Sequence, residues 1–190
     1  MSRGEITSHI AEYLSKELSD SNFIVYCAHK SKKVDQNTIF GKIKSQLLTN
    51  NILEMDLSEL DLAIIDQSKK QILVLIEIEE TTNKPKVLFG DVFATLFGEM
   101  IYISGNQRFQ IDNQAIMMIM AHNNKEYDED SRINFINREV NKLKSNINTA
   151  NARLDRIIID CYKDEKELLS KVKENINRQF NKLGYKIALH

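Results

Sequence analysis

The run DLAIIDQSKKQILVLIEIEE, residues 61–80, decides how this chain folds. Two apolar segments rich in Ile, Leu and Val flank the polar Gln67-Ser68-Lys69-Lys70. β-branched runs of this length separated by a short polar link predict two strands, Leu60 to Asp66 and Gln71 to Glu79, joined as a hairpin. Side chains alternate across a strand, so Asp61, Ala63 and Ile65 share one face, and Leu73, Leu75, Glu77 and Glu79 share another. Placing Asp61 opposite Glu77 sets Ala63 against Leu75 and Ile65 against Leu73, with residues 67–71 as a five-residue loop. Three carboxylates then crowd one end of one face. Like charges opposed on a sheet destabilise it, and half-buried carboxylates are costly unless paired or coordinated. A hard divalent cation bound by one or two carboxylates and water resolves that conflict. The other reading is a solvated strand end.

Outward from the hairpin, Ile6, Ile10 and Leu18, with Tyr13 or Leu14 between, recur at helical spacing and predict a helix over 3–18. Phe23 to Ala28 reads as a strand. Ile39, Ile43 and Leu47, four apart, predict an amphipathic helix over 35–48. After the hairpin, Asn83 and Pro85 suit a helix start, and the apolar segment 87–102 reads as a buried helix. Ser104-Gly105-Asn106 reads as a turn. Gln114 to Ala121 reads as a central strand covered on both faces, with Met117, Met118 and Met120 in the core. The acidic stretch 125–132 reads as a solvated loop, 130–144 as an amphipathic helix, and 156–162 as a buried strand. Leu169, Val172, Ile176, Phe180 and Leu183 mark a C-terminal helix. The order predicts an α/β domain with a mixed central sheet and helices on both faces.

The 190 residues suit a single domain, 1–190, with no linker or repeat at which to divide it. A chain 42% apolar and 28% charged has the composition of a folded globular protein. Its net charge of −1 provides no global field toward nucleic acid or membrane, so such binding would need local patches. His29 to Lys33 with Lys42 and Lys44 is one candidate and Lys142 to Arg156 another, the other reading of each being a solvated face. Cys27 and Cys161 sit in separate apolar runs, as reduced core residues do. No signal peptide and no apolar run of spanning length is present, so the expected location is the cytoplasm, with no membrane partner. No G-x-x-x-x-G-K or G-x-G-x-x-G occurs, so no nucleotide cofactor is expected. His9, His29, His122 and His190 form no H-x-x-x-H pair for zinc.

A helix, a hairpin opening on an acid and closing on E-x-E, a buried helix and an apolar strand together resemble the PD-(D/E)xK nuclease superfamily, the restriction-endonuclease-like fold. The resemblance covers about residues 1–121, with Leu60-Asp61 matching the first element and Glu77-Ile78-Glu79 the second. It implies that Asp61 and Glu77 bind Mg²⁺ (Mn²⁺ as substitute) and that Glu79 orients or deprotonates the attacking water. A further acid in the first helix is best matched by Glu5, then Glu12. Leu60 stands for the motif's proline and Glu79 for its lysine. Lys84 or Lys86 would return a positive charge near the site, and Lys42 and Lys44 would contact nucleic acid. The implied activity is Mg²⁺-dependent hydrolysis of DNA by a homodimer. The competing reading is an inactive scaffold of the same fold, used for binding or assembly, with the helices at 130–147 and 164–183 as its working surface; the other readings of those helices are that they cover the sheet or serve a homodimer.

Overall fold

The computed structural model describes residues 4–29, 38–47, 55–80, 90, 92, 100–103, 107–122, 132–146 and 156–190. Its elements are α1 (Glu5–Glu17), β1 (Phe23–Cys27), β2 (Thr38–Phe40), β3 (Ile43–Leu47), β4 (Met55–Leu60), β5 (Leu62–Asp66), β6 (Gln71–Glu79), β7 (Met100–Ile103), β8 (Gln107–His122), α2 (Arg132–Asn146), β9 (Ile157–Tyr162) and α3 (Glu165–Lys182). Among the described residues the strands form one mixed sheet in the order β2-β1-β5-β6-β8-β7-β3-β4, with β9 beside β8. The centre runs antiparallel from β1 to β5 to β6, then parallel from β6 to β8 to β9. β4 and β5 lie at different places along this path yet are separated in the chain by Asp61 alone. The sheet therefore curls back until its far end meets its centre at that residue.

The two faces hold two cores. On one, Ile6, Ile10 and Leu14 of α1 and Leu168, Val172, Ile176 and Phe180 of α3 pack on Leu62, Ile64, Ile76, Ile78, Met118 and Met120. On the other, Ile136 and Val140 of α2 pack on Ala63, Leu75, Met117, Ile119, Ile157 and Ile159. Helices thus cover both faces, and Met117, Met118 and Met120 are buried as the sequence predicts. Cys27 is buried, while Cys161 is partly exposed.

The hairpin forms with Ala63 opposite Leu75, as expected, but its register slips by one residue near the turn. Ile64 pairs with Val74 and Ile65 with Ile72, so Leu73 bulges out of the ladder. The bulge turns Leu73 to the α1–α3 core while Leu75 and Ile72 stay in the other. Asp66 pairs with Gln71, leaving residues 67–70 as the loop rather than 67–71. A bulge adds one residue on one strand and shifts everything beyond it, which a strict period of two does not anticipate.

The helix expected over 35–48 is replaced by β2 and β3. A four-residue spacing puts Ile39, Ile43 and Leu47 on one side of a helix, but it is also a multiple of two and puts them on one side of a strand. Ladder partners decide the matter. β2 extends the β1 edge, and β3 lies between β4 and β7. The helix expected over 87–102 stops short of its predicted end. Gly90 and Val92 are helical, but Met100 to Ile103 form β7, paired with both β3 and β8. β8 starts seven residues earlier than predicted because its polar first half pairs with β7. β4 has no counterpart in the sequence reading. The segments around Asn83 and Pro85, Ser104 to Asn106 and the acidic stretch up to Ser131 lie outside the described residues.

Candidate functional site, an acidic cleft at the hairpin end

Asp61 occupies the bend between β4 and β5, and its partner across the hairpin is Glu77. The Ala63–Leu75 pair fixes this, since two residues back on β5 meet two residues forward on β6. Hydrogen bonds tie Asp61 to Glu77 and to the next residue of β6, Ile78. The Asp61 main-chain N–H donates to Glu77 Oε2 at 3.2 Å, and the Ile78 N–H donates to Asp61 Oδ2 at 2.8 Å. The other Asp61 oxygen, Oδ1, lies 2.8 Å from His29 Nε2. Asp61 is 8% exposed, so its carboxylate relies on these partners in place of water.

Glu79 stands two residues along β6 on the same face as Glu77. Glu80, on the opposite face, reaches α1, where its carboxylate accepts from the N–H of Gly4 at 3.0 Å and from the N–H and Oγ1 of Thr7 at 3.3 and 3.2 Å. Gly4 is the residue before the helix and has no side chain to cap it. Glu80 therefore satisfies the orphan donors of the first turn from 76 positions away. Gly4, Thr7, His29, Asp61, Glu77, Ile78, Glu79 and Glu80 together line a small cleft of about 40 Å³.

The field of these acids reaches the neighbouring strand. Burial raises the pKa of the Tyr162 hydroxyl, and the carboxylates of Glu80, Asp61 and Glu79 raise it further. Tyr162 stays a neutral donor, 3.4 Å from the Glu79 carbonyl oxygen. Burial likewise pushes the Cys27 thiol up to about 12, with Asp61 and Glu12 adding to the effect. Its Sγ donates to the His29 carbonyl, so Cys27 is a structural thiol and not a nucleophile.

Of the residues singled out from sequence, Asp61, Glu77 and Glu79 meet in the cleft. Glu5 lies in the first turn of α1 but does not line it. Lys42 pairs with Glu59 at 2.8 Å, and Lys44, on β3, is in register with the same Glu59. Lys84 and Lys86 lie outside the described residues. The sequence reading missed His29, Glu80, Gly4 and Thr7. Along the sequence His29 groups with the lysines that follow it, and Glu80 falls past the predicted strand end at Glu79.

Among the described residues no three His, Cys, Asp or Glu side chains form a group able to enclose a metal ion. The donor set instead fits the sparser mode in which a hard cation takes one or two carboxylates and keeps several waters. Asp61 and Glu77 are the two carboxylates that could serve in that mode. No protein-family model matches this chain, and no curated protein or solved structure matches it either. Among the described residues no helix is long and apolar enough to cross a membrane.

Proposed function

We propose that the cleft is the active site of a Mg²⁺-dependent DNA endonuclease with a restriction-endonuclease-like, PD-(D/E)xK core. The observation that carries this reading is the meeting of Asp61 and Glu77 at the hairpin end, where the Asp61 N–H donates to Glu77 and the Ile78 N–H to Asp61, with Glu79 lining the same cleft. The element order supports it: α1, the antiparallel β5–β6 hairpin, then β8 parallel to β6.

Asp61 and Glu77 would hold the cation, with Mn²⁺ as a substitute for Mg²⁺. When bound, such an ion polarises a phosphodiester and lowers the pKa of water beside it. Ile78 and His29 keep the Asp61 carboxylate in one orientation. Glu79 accepts the proton of the attacking water as its oxygen bonds to phosphorus. The P–O bond opposite breaks, and the leaving oxygen takes a proton from solvent. The working form is a homodimer, because cutting both strands of a duplex calls for two such sites.

One observation favours the second reading, an inactive scaffold serving in binding or assembly. Both Asp61 oxygens are already engaged by protein groups, and Glu79 stands where the resembled family has lysine.

A single assay separates the two. Supercoiled plasmid is incubated with Mg²⁺ or Mn²⁺ and wild type, Asp61→Ala, Glu77→Ala or Glu79→Gln, and sedimentation gives the mass of each protein. The endonuclease reading expects nicked and linear product from a wild-type dimer and none from the first two variants. It expects a rate about a hundredfold lower for Glu79→Gln, within the usual range for a general base. Equal product from wild type and Asp61→Ala would sink it, and no product from a folded wild type leaves the scaffold.

A further inference from the structure

The endonuclease reading leaves open where nucleic acid lies, since Lys42 is drawn to Glu59 and Lys84 and Lys86 are not described. The β6 face answers this by register. Ile76 and Ile78 point to the α1–α3 core, so Glu77 and Glu79 point to the other side, with Leu75. Glu77 is in register with Ile119 and Ile159, and Glu79 with Ala121 and Cys161. α2 covers that same side. Its Ile136 and Val140 pack there, and the Asn137 side-chain amide donates to the Ile159 carbonyl at 3.1 Å. α2 therefore lies over β9, on the side of the sheet that Glu77 and Glu79 take, two strands across from β6.

We propose that the outward face of α2 is the surface that seats the nucleic-acid backbone beside the cleft. This rests on the endonuclease reading and adds the docking surface to it. Asn134, Phe135, Arg138, Asn141 and Lys142 are all exposed and, at helical spacing, fall on one continuous arc opposite Ile136 and Val140. Asn134, Asn137, Arg138, Asn141 and Lys142 line a broad, shallow hollow of about 530 Å³.

The chemistry of the arc suits this partner. The arc carries Arg138 and Lys142 beside one acid, Glu139, in a chain of net charge −1. Glu139 lies 3.4 Å from Arg138 Nε and 2.8 Å from Lys142 Nζ. Exposed ion pairs of this kind are weak, so phosphate oxygens compete for the same cations. Asparagine is a poor helix former, whereas its amide donates to phosphates and reads base edges. Phe135 is 43% exposed, with the Arg138 guanidinium 5.4 Å from its ring centroid. That pair is a platform on which an unpaired base can stack. Backbone charge is common to duplex and single strand, and the platform serves the single strand alone.

The test uses full-length protein and fluorescein-labelled DNA, duplex and single-stranded, in EDTA so that no cleavage occurs. Anisotropy is read over a salt series for wild type, Arg138→Ala/Lys142→Ala, Asn134→Ala/Asn141→Ala and Phe135→Ala. The asparagine pair keeps the test open should the charge variant fail to fold, because alanine favours the helix. The charge variant is expected to bind at least tenfold more weakly, with the salt slope reduced by about two. The asparagine variant is expected to weaken severalfold. Phe135→Ala is expected to weaken single-strand binding more than duplex binding if the platform is used, and both alike if only the backbone is held. If wild type binds DNA and both α2 double variants match it, the docking surface is overturned while the cleft reading stands. If wild type binds neither DNA form, both fail.

Discussion

Gly4 is the residue on which the cleft closes. Its φ of 83° lies in the left-handed region, and a Cβ built there would sit 2.6 Å from His29 Nδ1. Both facts exclude a side chain. His29 packs against this gap and presents its other nitrogen to Asp61, so the glycine indirectly holds the carboxylate. The same residue donates its N–H to Glu80. Gly4→Ala is expected to cost at least about 1–2 kcal/mol from backbone strain alone, with the displacement of His29 adding to it. Urea denaturation checks this. A midpoint equal to that of wild type would mean that the chain before α1 re-forms around the new methyl group.

At the scale of elements, the hairpin is anchored at both ends by carboxylates with different jobs. The far end has Asp66, whose side chain is only 3% exposed. It accepts from Ser68 Oγ, from the N–H groups of Ser68 and Lys69, and from the Tyr185 hydroxyl at 2.8 Å. Burial pushes its pKa up, but these hydrogen bonds outweigh burial and hold it below the ordinary value of 3.8. A lowered folded pKa means that the ionised group stabilises the fold above the ordinary value. That contribution is lost as pH falls through the lowered one. Asp66→Asn is therefore expected to be less stable than wild type at neutral pH, by on the order of 2 kcal/mol for hydrogen bonds to a charged group. Its stability should also fall less steeply on acidification below pH 4 or so. Melting curves across that range measure both. Parallel acid limbs for wild type and variant would show that Asp66 does not carry the pH dependence. Through Tyr185, which stacks edge-on against Phe23 and Phe180, the same carboxylate ties the turn to α3 and the C-terminal residues.

For the molecule as a whole, the curled sheet sets stability against the proposed function. Bringing Asp61 and Glu77 together at the β4–β5 corner places two acids in one small cleft. Two unit charges about 4 Å apart repel by roughly 4 kcal/mol at an effective dielectric near 20, and less as water enters. A cation that binds the folded cleft and not the unfolded chain raises the melting temperature with concentration. Glu77→Gln is expected to melt above wild type in EDTA, by about 2–4 °C for each kcal/mol of repulsion relieved, and to gain less from Mg²⁺. Differential scanning calorimetry with and without Mg²⁺ decides it. Identical curves for the two proteins in both buffers would leave the cleft without a metal.

The sequence alone determined what local periodicity can express. The helices α1, α2 and α3, the strands β1, β5, β6 and β9, and the core half of β8 follow from residues that repeat at 3.6 or 2. The opposition of Asp61 and Glu77 follows from one hairpin register near its open end. Only the tertiary structure decided what depends on partners distant in the chain. Ile39, Ile43 and Leu47 satisfy both periods, and the open edges beside β1, β4 and β7 made them strands. Met100 to Ile103 became β7 because β3 and β8 offered ladders on both sides. Leu73 changed face because a bulge absorbed one residue of β6. His29 and Glu80 joined the cleft because the end of β1 and the start of α1 fold over the hairpin, bringing residues 32 and 76 positions apart within hydrogen-bond distance. A pattern read along the chain reports which face a side chain takes. It does not report which remote backbone donor that side chain will meet.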